Sequence, residues 1–232
     1  MMHEHLSSKY LLVKQIVCDE GYGPEISWQS KVNFDSLEES DFLKELAWVV
    51  LSSGMKEQVI RKIFEKLAFC FFNWESIQMI VDNKQKCYHN AIKIFNNGRK
   101  ISAIIQSAQK INEVGFDELK KLIKEKPIET LQSFPYIGDV TAYHLAKNIG
   151  ICIAKPDRHL VRIADTEGYD DVQEFCRNVS MLSGDSIPVV DIVFWRFANL
   201  HRDYLDVLSS VNFTNSNDVQ VDDTDYGKKI IK

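Results

Sequence analysis

Residues 134–144 are Phe134-Pro135-Tyr136-Ile137-Gly138-Asp139-Val140-Thr141-Ala142-Tyr143-His144, a break between two helical stretches. Up to this point apolar residues recur at helical spacing in one run after another. Here the chain stops at a proline, turns through a glycine and restarts with Asp139 as the expected helix cap, as two helices joined by a tight corner would. Gly138 tolerates close approach of another backbone. The first amides of a helix restarting at Asp139 make a small positive pole that suits a phosphate, with Tyr136, Ile137 and Gly138 at the turn. An ordinary turn between packed helices fits the same residues. A second corner, Lys155-Pro156-Asp157-Arg158-His159, follows, with Asp157 nineteen residues after Gly138. Asp157 is expected to be the N-cap of the helix it precedes, with Pro156 holding the approach.

Outward from these corners the pattern stays helical and strand signals are scarce. Asp41 is expected to cap a run ending at Ser52-Ser53-Gly54, and EQVIRKIFEKLAFCFF follows at once. Further runs end at Gly98, Gly115 and Gly150. Pro127 and Pro188 stand where a proline opens a helix, Pro188 beginning one long run, PVVDIVFWRFANLHRDYLDVL. About eleven helices joined by short turns make an all-α fold. The tail from Asn212 lacks helical periodicity and is expected to be disordered.

At 232 residues the chain can bury a sizeable core. No apolar run approaches the length that crosses a bilayer, and the start, MMHEHLSSKY, has no basic segment before an apolar one, so neither a membrane nor a secretory signal is expected. Five scattered cysteines with no C-x-x-C pair read as reduced thiols in a cytoplasmic protein. The net charge of −5 argues against avid, non-specific nucleic-acid binding. It is unevenly placed: residues 1–45 hold 9 acidic and 4 basic side chains, whereas residues 46–211 hold 20 and 21. A nucleic-acid site in the near-neutral middle would rely on local basic clusters and backbone donors, with salt-sensitive affinity.

FPYIGDVTA resembles the helix-hairpin-helix motif of endonuclease III-type DNA glycosylases, L-P-G-(V/I)-G-x-x-T-A, through Pro135, Ile137, Gly138, Thr141 and Ala142. The segment DRHLVRI is similar to the D-x-H-V-x-R-V segment that follows the hairpin in the same superfamily, with Asp157, His159, Val161, Arg162 and Ile163 in register. Tyr136 replaces the hairpin's first glycine, so that part of the turn is expected to use a different backbone geometry.

The resemblance covers residues about 40–205 and implies two helical subdomains, a helix-hairpin-helix motif and an active-site cleft between them. Residues 1–40 would pack with a C-terminal subdomain, 145–211; residues 41–144 would form the central subdomain with the hairpin at its end; 212–232 would be a flexible tail. The implied activity is excision of a modified base from double-stranded DNA by a monomeric enzyme. By resemblance Asp157 is the catalytic aspartate, stabilising the sugar cation or activating the attacking water. Pro135, Tyr136, Ile137, Gly138, Thr141 and His159 would meet DNA. The position of the lyase lysine of bifunctional relatives is Val140, so a monofunctional enzyme that leaves an abasic site is expected; Lys147 and Lys155 are the conceivable stand-ins. Only Cys176 lies beyond Asp157, so the four-cysteine cluster of many relatives cannot form, and no metal or other cofactor is expected.

Val140 and His144 share a helix face and would look toward a flipped base, with Trp48, Trp195 and Phe194 as candidate stacking partners. LSSGMKEQ resembles the family's L-S-x-Q/N turn; Gly54 takes the space-filling position, and Met55 is expected to be the replacement wedge. NNGRKISAIIQSAQKI resembles the family's GxRxxYI helix, which would bring Arg99 and Lys100 toward DNA. Two other readings remain open: removal of a hypermodified, for example glycosylated, base from viral DNA in antiviral defence, where the small Val140 leaves room for a bulky base, and a non-catalytic helix-hairpin-helix DNA-binding module in which Asp157 is only a cap.

Overall fold

The computed structural model describes residues 2–210, and the expectation for the tail from Asn212 lies outside them. Among the described residues there are fourteen α-helices and no strands, so the protein is all-α. None of these helices is long and apolar enough to cross a membrane.

The chain opens with α1 (Met2–Val17), in which Leu6, Tyr10, Val13 and Val17 recur on one face and are buried. A π-turn broken at Gly21, φ 89°, leads into α2 (Gly23–Lys31), which Pro24 opens. The next helices are α3 (Glu39–Ser52), α4 (Glu57–Cys70), α5 (Ile77–Asp82), α6 (Lys84–Ile94), α7 (Gly98–Val114), α8 (Phe116–Glu125) and α9 (Pro127–Gln132). Side-chain caps start two of them: Ser76 accepts the amide of Met79, and Asn97 that of Lys100. Beyond the first corner come α10 (Asp139–Asn148), α11 (Arg158–Thr166), α12 (Val172–Ser183), α13 (Ile187–Leu200) and α14 (Tyr204–Ser210). Asp157 caps α11 and Asp171 caps α12.

Three local expectations are corrected. α3 begins two residues before Asp41, behind Glu38, so Asp41 lies inside the first turn. Asp139 is the first residue of α10 rather than its cap, because Gly138 holds the extended conformation of an N-cap. The run from Pro188 is two helices, broken at His201, which takes an extended conformation at the end of α13.

The buried apolar residues fall into two clusters. The first runs from Phe34 to Ile149 and is built from α3 to α10. The second joins Leu6, Tyr10, Val13, Val17 and Ile26 to residues between Ala154 and Leu208. The chain therefore starts in the second core, crosses to the first and returns, and the first core runs on past residue 144. The crossings touch: a Cβ on Gly150, φ 92°, would come 2.7 Å from the amide nitrogen of Phe34, so only glycine fits there. Next to this point Gln29 donates to the carbonyl of Lys147 at 3.1 Å.

Two ionic links tie the cores together. In one, Arg196 of α13 contacts Glu25 at 2.6 Å and Glu57 at 3.3 Å, and Arg61 of α4 contacts both acids. In the other, Lys147 of α10 donates to Asp191 of α13 at 2.6 Å, with both side chains almost wholly buried.

Candidate active site at the junction of the two cores

The first corner is a tight turn closed by donation from the Ile137 amide to the Phe134 carbonyl, 3.2 Å. Pro135 occupies the position that wants a fixed φ, and Tyr136 the one that wants a positive φ. Tyr136 has φ 71°. It thus takes the left-handed conformation that glycine favours, and the expected change of backbone geometry is not what occurs: the side chain differs while the backbone keeps a glycine-like shape, at a strain of about 1–3 kcal/mol. The Ile137 side chain is buried and its amide is used in the turn. The Gly138 amide donates to Thr141 Oγ1 at 2.7 Å, and that hydroxyl donates back to the Gly138 carbonyl at 3.1 Å. Thr141 therefore locks the corner from within. The amides that precede the first intrahelical donor, Ala142, are those of Asp139, Val140 and Thr141. An anion would meet these rather than the amides of Ile137 and Gly138.

Beneath the turn lies Lys100, which is 3 % exposed and therefore buried rather than offered to DNA. Its ammonium donates to the carbonyls of Leu51 at 2.7 Å and Ser53 at 2.5 Å and sits 5.7 Å from the centre of the Tyr136 ring. Burial lowers its pKa. One side chain thus joins three stretches quoted from the sequence: 51–54, the start of α7 and the first corner. Met55 follows Gly54, φ 66°, and is 40 % exposed beside them. Arg99 is exposed and lines an open groove of about 420 Å³ with Pro135 and Tyr136; Asp157 and His144 do not line it.

At the second corner, Asp157 Oδ1 accepts the amides of His159 at 2.9 Å and Leu160 at 3.2 Å. Its other oxygen, Oδ2, lies 3.6 Å from Lys155 Nζ. The corner is held from below by Asp191: its Oδ2 accepts the Lys155 amide at 2.6 Å, while its Oδ1 takes the Lys147 ammonium. Asp191 therefore fastens α10 and the second corner to one buried carboxylate. This arrangement sequesters Lys147, whereas the Lys155 ammonium stays beside Asp157.

Along α10, Val140, His144 and Lys147 follow one another at helical spacing. Val140 is 43 % exposed, His144 is half-buried, and Lys147 reaches Asp191. The His144 imidazole is pushed well below its usual pKa, first by burial and then by the ammonium charges of Lys155 and Lys147. It is neutral at pH 7, with one donor and one acceptor nitrogen. At the far end of α10, Asn148 donates to Glu45 at 3.0 Å, and burial raises the Glu45 carboxyl to about 7.

Other expected contacts are differently employed. His159 Nδ1 lies 3.3 Å from the Tyr204 hydroxyl and the two rings meet edge to face, so this side chain braces α11 against α14. Trp48 packs edge-on against Phe64, 5.2 Å between centres, under the Arg61 guanidinium. Trp195 lies under Arg196, 4.7 Å away. Both indoles thus serve the ionic network around Glu25 and Glu57. Phe194 is buried between Tyr10 and Phe175 and is closed to any ligand. Neither Asp191 nor Glu45 is among the residues expected at the site. Asp191 carries a signal, a lone acid in the apolar run PVVDIVFW; Glu45 carries none.

The five cysteines are free thiols. Comparison with protein-family models, with curated proteins and with solved structures found no match.

Proposed function

We propose that the chain is a DNA glycosylase of the helix-hairpin-helix type, in which α9, the first corner and α10 form the hairpin and the junction of the two cores is the active-site cleft. The observation that carries the reading is Asp157: one carboxylate oxygen is fixed by two helix amides, and the other is left beside Lys155 at the same junction as the Val140–His144 face of α10. A carboxylate so oriented stabilises the sugar cation that forms as the base departs, and water attack at the anomeric carbon then leaves an abasic site. The water oxygen joins the sugar, and a proton from that water is released as the departing base takes one up. Neutral His144 can donate to or accept from the edge of an extruded base.

Gly138 supports the hairpin assignment from a separate direction. A Cβ there would meet nothing in the protein. The space that glycine leaves is on the outside, where a phosphate backbone would approach the first amides of α10. Val140 in place of a lysine makes the enzyme monofunctional.

A hypermodified base of viral DNA is the second reading within the class, favoured by the small exposed side chain of Val140. The rival from outside it is a DNA-binding module in which the capping bonds of Asp157 are its whole role.

Mass spectrometry of bases released from a panel of damaged and naturally hypermodified duplexes tests the activity. The Asp157→Asn variant should keep DNA binding and lose at least about 100-fold in release rate. Undiminished release would remove Asp157 from the chemistry. A covalent adduct trapped by borohydride would reject the monofunctional mechanism.

A further inference from the structure

The groove beside the first corner does not end at α7. A second depression of about 290 Å³ adjoins it, and Tyr88, Ser102 and Gln106 line both. Tyr88, one of the shared residues, has its hydroxyl against Gly98, where a Cβ would come 2.7 Å from it. Arg99 and Tyr136 stand at the end nearest the corner, and Lys84 stands at the far end on α6. The lining residues of the two depressions include two cations, several amides and hydroxyls and two tyrosines, and no Asp or Glu. In a chain with net charge −5, a continuous trough without a carboxylate is a local departure from the general surface.

We propose that this trough is a second nucleic-acid contact, the track followed by the phosphodiester backbone of the DNA strand as it leaves the first corner, with Arg99 and Lys84 neutralising successive phosphates. The inference rests on the DNA-binding reading above. Three features select this occupant. The trough is continuous with Pro135 and Tyr136, so a strand gripped at the corner enters it directly. Cations placed at both ends suit an extended polyanion better than a small anion, which would need them together. The groove is open and its amide and hydroxyl side chains suit phosphate and sugar oxygens, so its contribution is affinity and register rather than sequence reading.

The test is equilibrium binding of the full chain to an unmodified duplex of about three helical turns, followed by fluorescence anisotropy over a range of salt concentrations. The Lys84→Ala/Arg99→Ala protein should bind roughly tenfold more weakly at low salt, and its log–log salt slope should be shallower by about two, one for each phosphate that the variant leaves without a cation. The Lys84→Arg/Arg99→Lys protein should bind as the parent does. Unchanged affinity and slope in the alanine protein would overturn the proposal. So would an equal weakening in the charge-conserving protein, because the trough would then act by shape and not by charge. This readout needs no base release. If the duplex binds in the trough but no base is ever excised, the glycosylase reading fails and the trough stands.

Discussion

The two corners of the molecule are built from the same punctuation, a proline followed by a helix start, and they do opposite things with it. The first turns outward. Tyr136 and Val140 are exposed, Gly138 leaves open space, and the support comes from beneath through Lys100. The second turns inward. Its capping carboxylate is largely covered, and the backbone leading to it is pinned to the buried Asp191. In the proposed function the first corner grips a polymer, which needs accessible backbone and tolerates varied side chains. The second, in the same proposal, presents one charged atom to a reaction, which needs its support fixed to a fraction of an ångström. The comparison is that between a surface and a mount.

The largest expected effect comes from breaking the mount. Asp191→Ala leaves the Lys147 ammonium buried without its partner and the Lys155 amide without its acceptor. A loss of about 3–5 kcal/mol in unfolding free energy is expected by denaturant titration. Replacing the pair together, Lys147→Met with Asp191→Leu, should recover most of that stability, yet the second corner would remain unpinned and base release would stay low. Recovery of full release by the double variant would show that Asp191 matters only for folding.

The support beneath the first corner is expected to matter less. Lys100→Met strands the carbonyls of Leu51 and Ser53, a loss of about 1–3 kcal/mol measured by the same titration. Because those carbonyls belong to the turn before Met55, the variant should also weaken DNA binding without altering the pH dependence of release.

The smallest effect sharpens the comparison from α10, the helix that connects the corners. Burial raises the Glu45 carboxyl from 4.5 to about 7. Between those values the folded protein holds a proton that the unfolded chain has lost, so stability is greatest below the unfolded value and falls as pH rises toward the folded one. Glu45→Gln keeps a neutral side chain against Asn148 at every pH and should flatten the pH profile of the melting temperature across that window. A variant whose melting temperature still falls over the same window would place the titration elsewhere.

What the chain discloses before folding is local. The helices around Pro127, Gly115 and Asp157 announce themselves, because proline, glycine and capping aspartate act through their own backbone and need no distant partner. The helix α1 is legible in the same way, with Leu6, Tyr10, Val13 and Val17 at helical spacing, although the expectation for the N-terminal segment extends only to the subdomain it joins. The break at His201 is not legible, since Phe197, Leu200, Tyr204 and Leu208 keep helical spacing across it. Partners distant in the chain escape as well. Nothing in the sequence says that Lys100 supports two turns, that His159 braces Tyr204, or that Trp48 and Trp195 lie under guanidinium groups.

Helical character, the places of the two corners and the residue that caps the second are all readable from the chain before it folds. Those outcomes depend on conformational preferences of single residues and on a period of 3.6. Which charges are buried, and which groups they serve, emerges only when the helices pack. Lys147 and Asp191 are 44 residues apart and Lys155 and Asp191 are 36 apart, and no local preference brings them together. Their meeting follows from packing two cores against each other, and burial then requires each charge to find its partner.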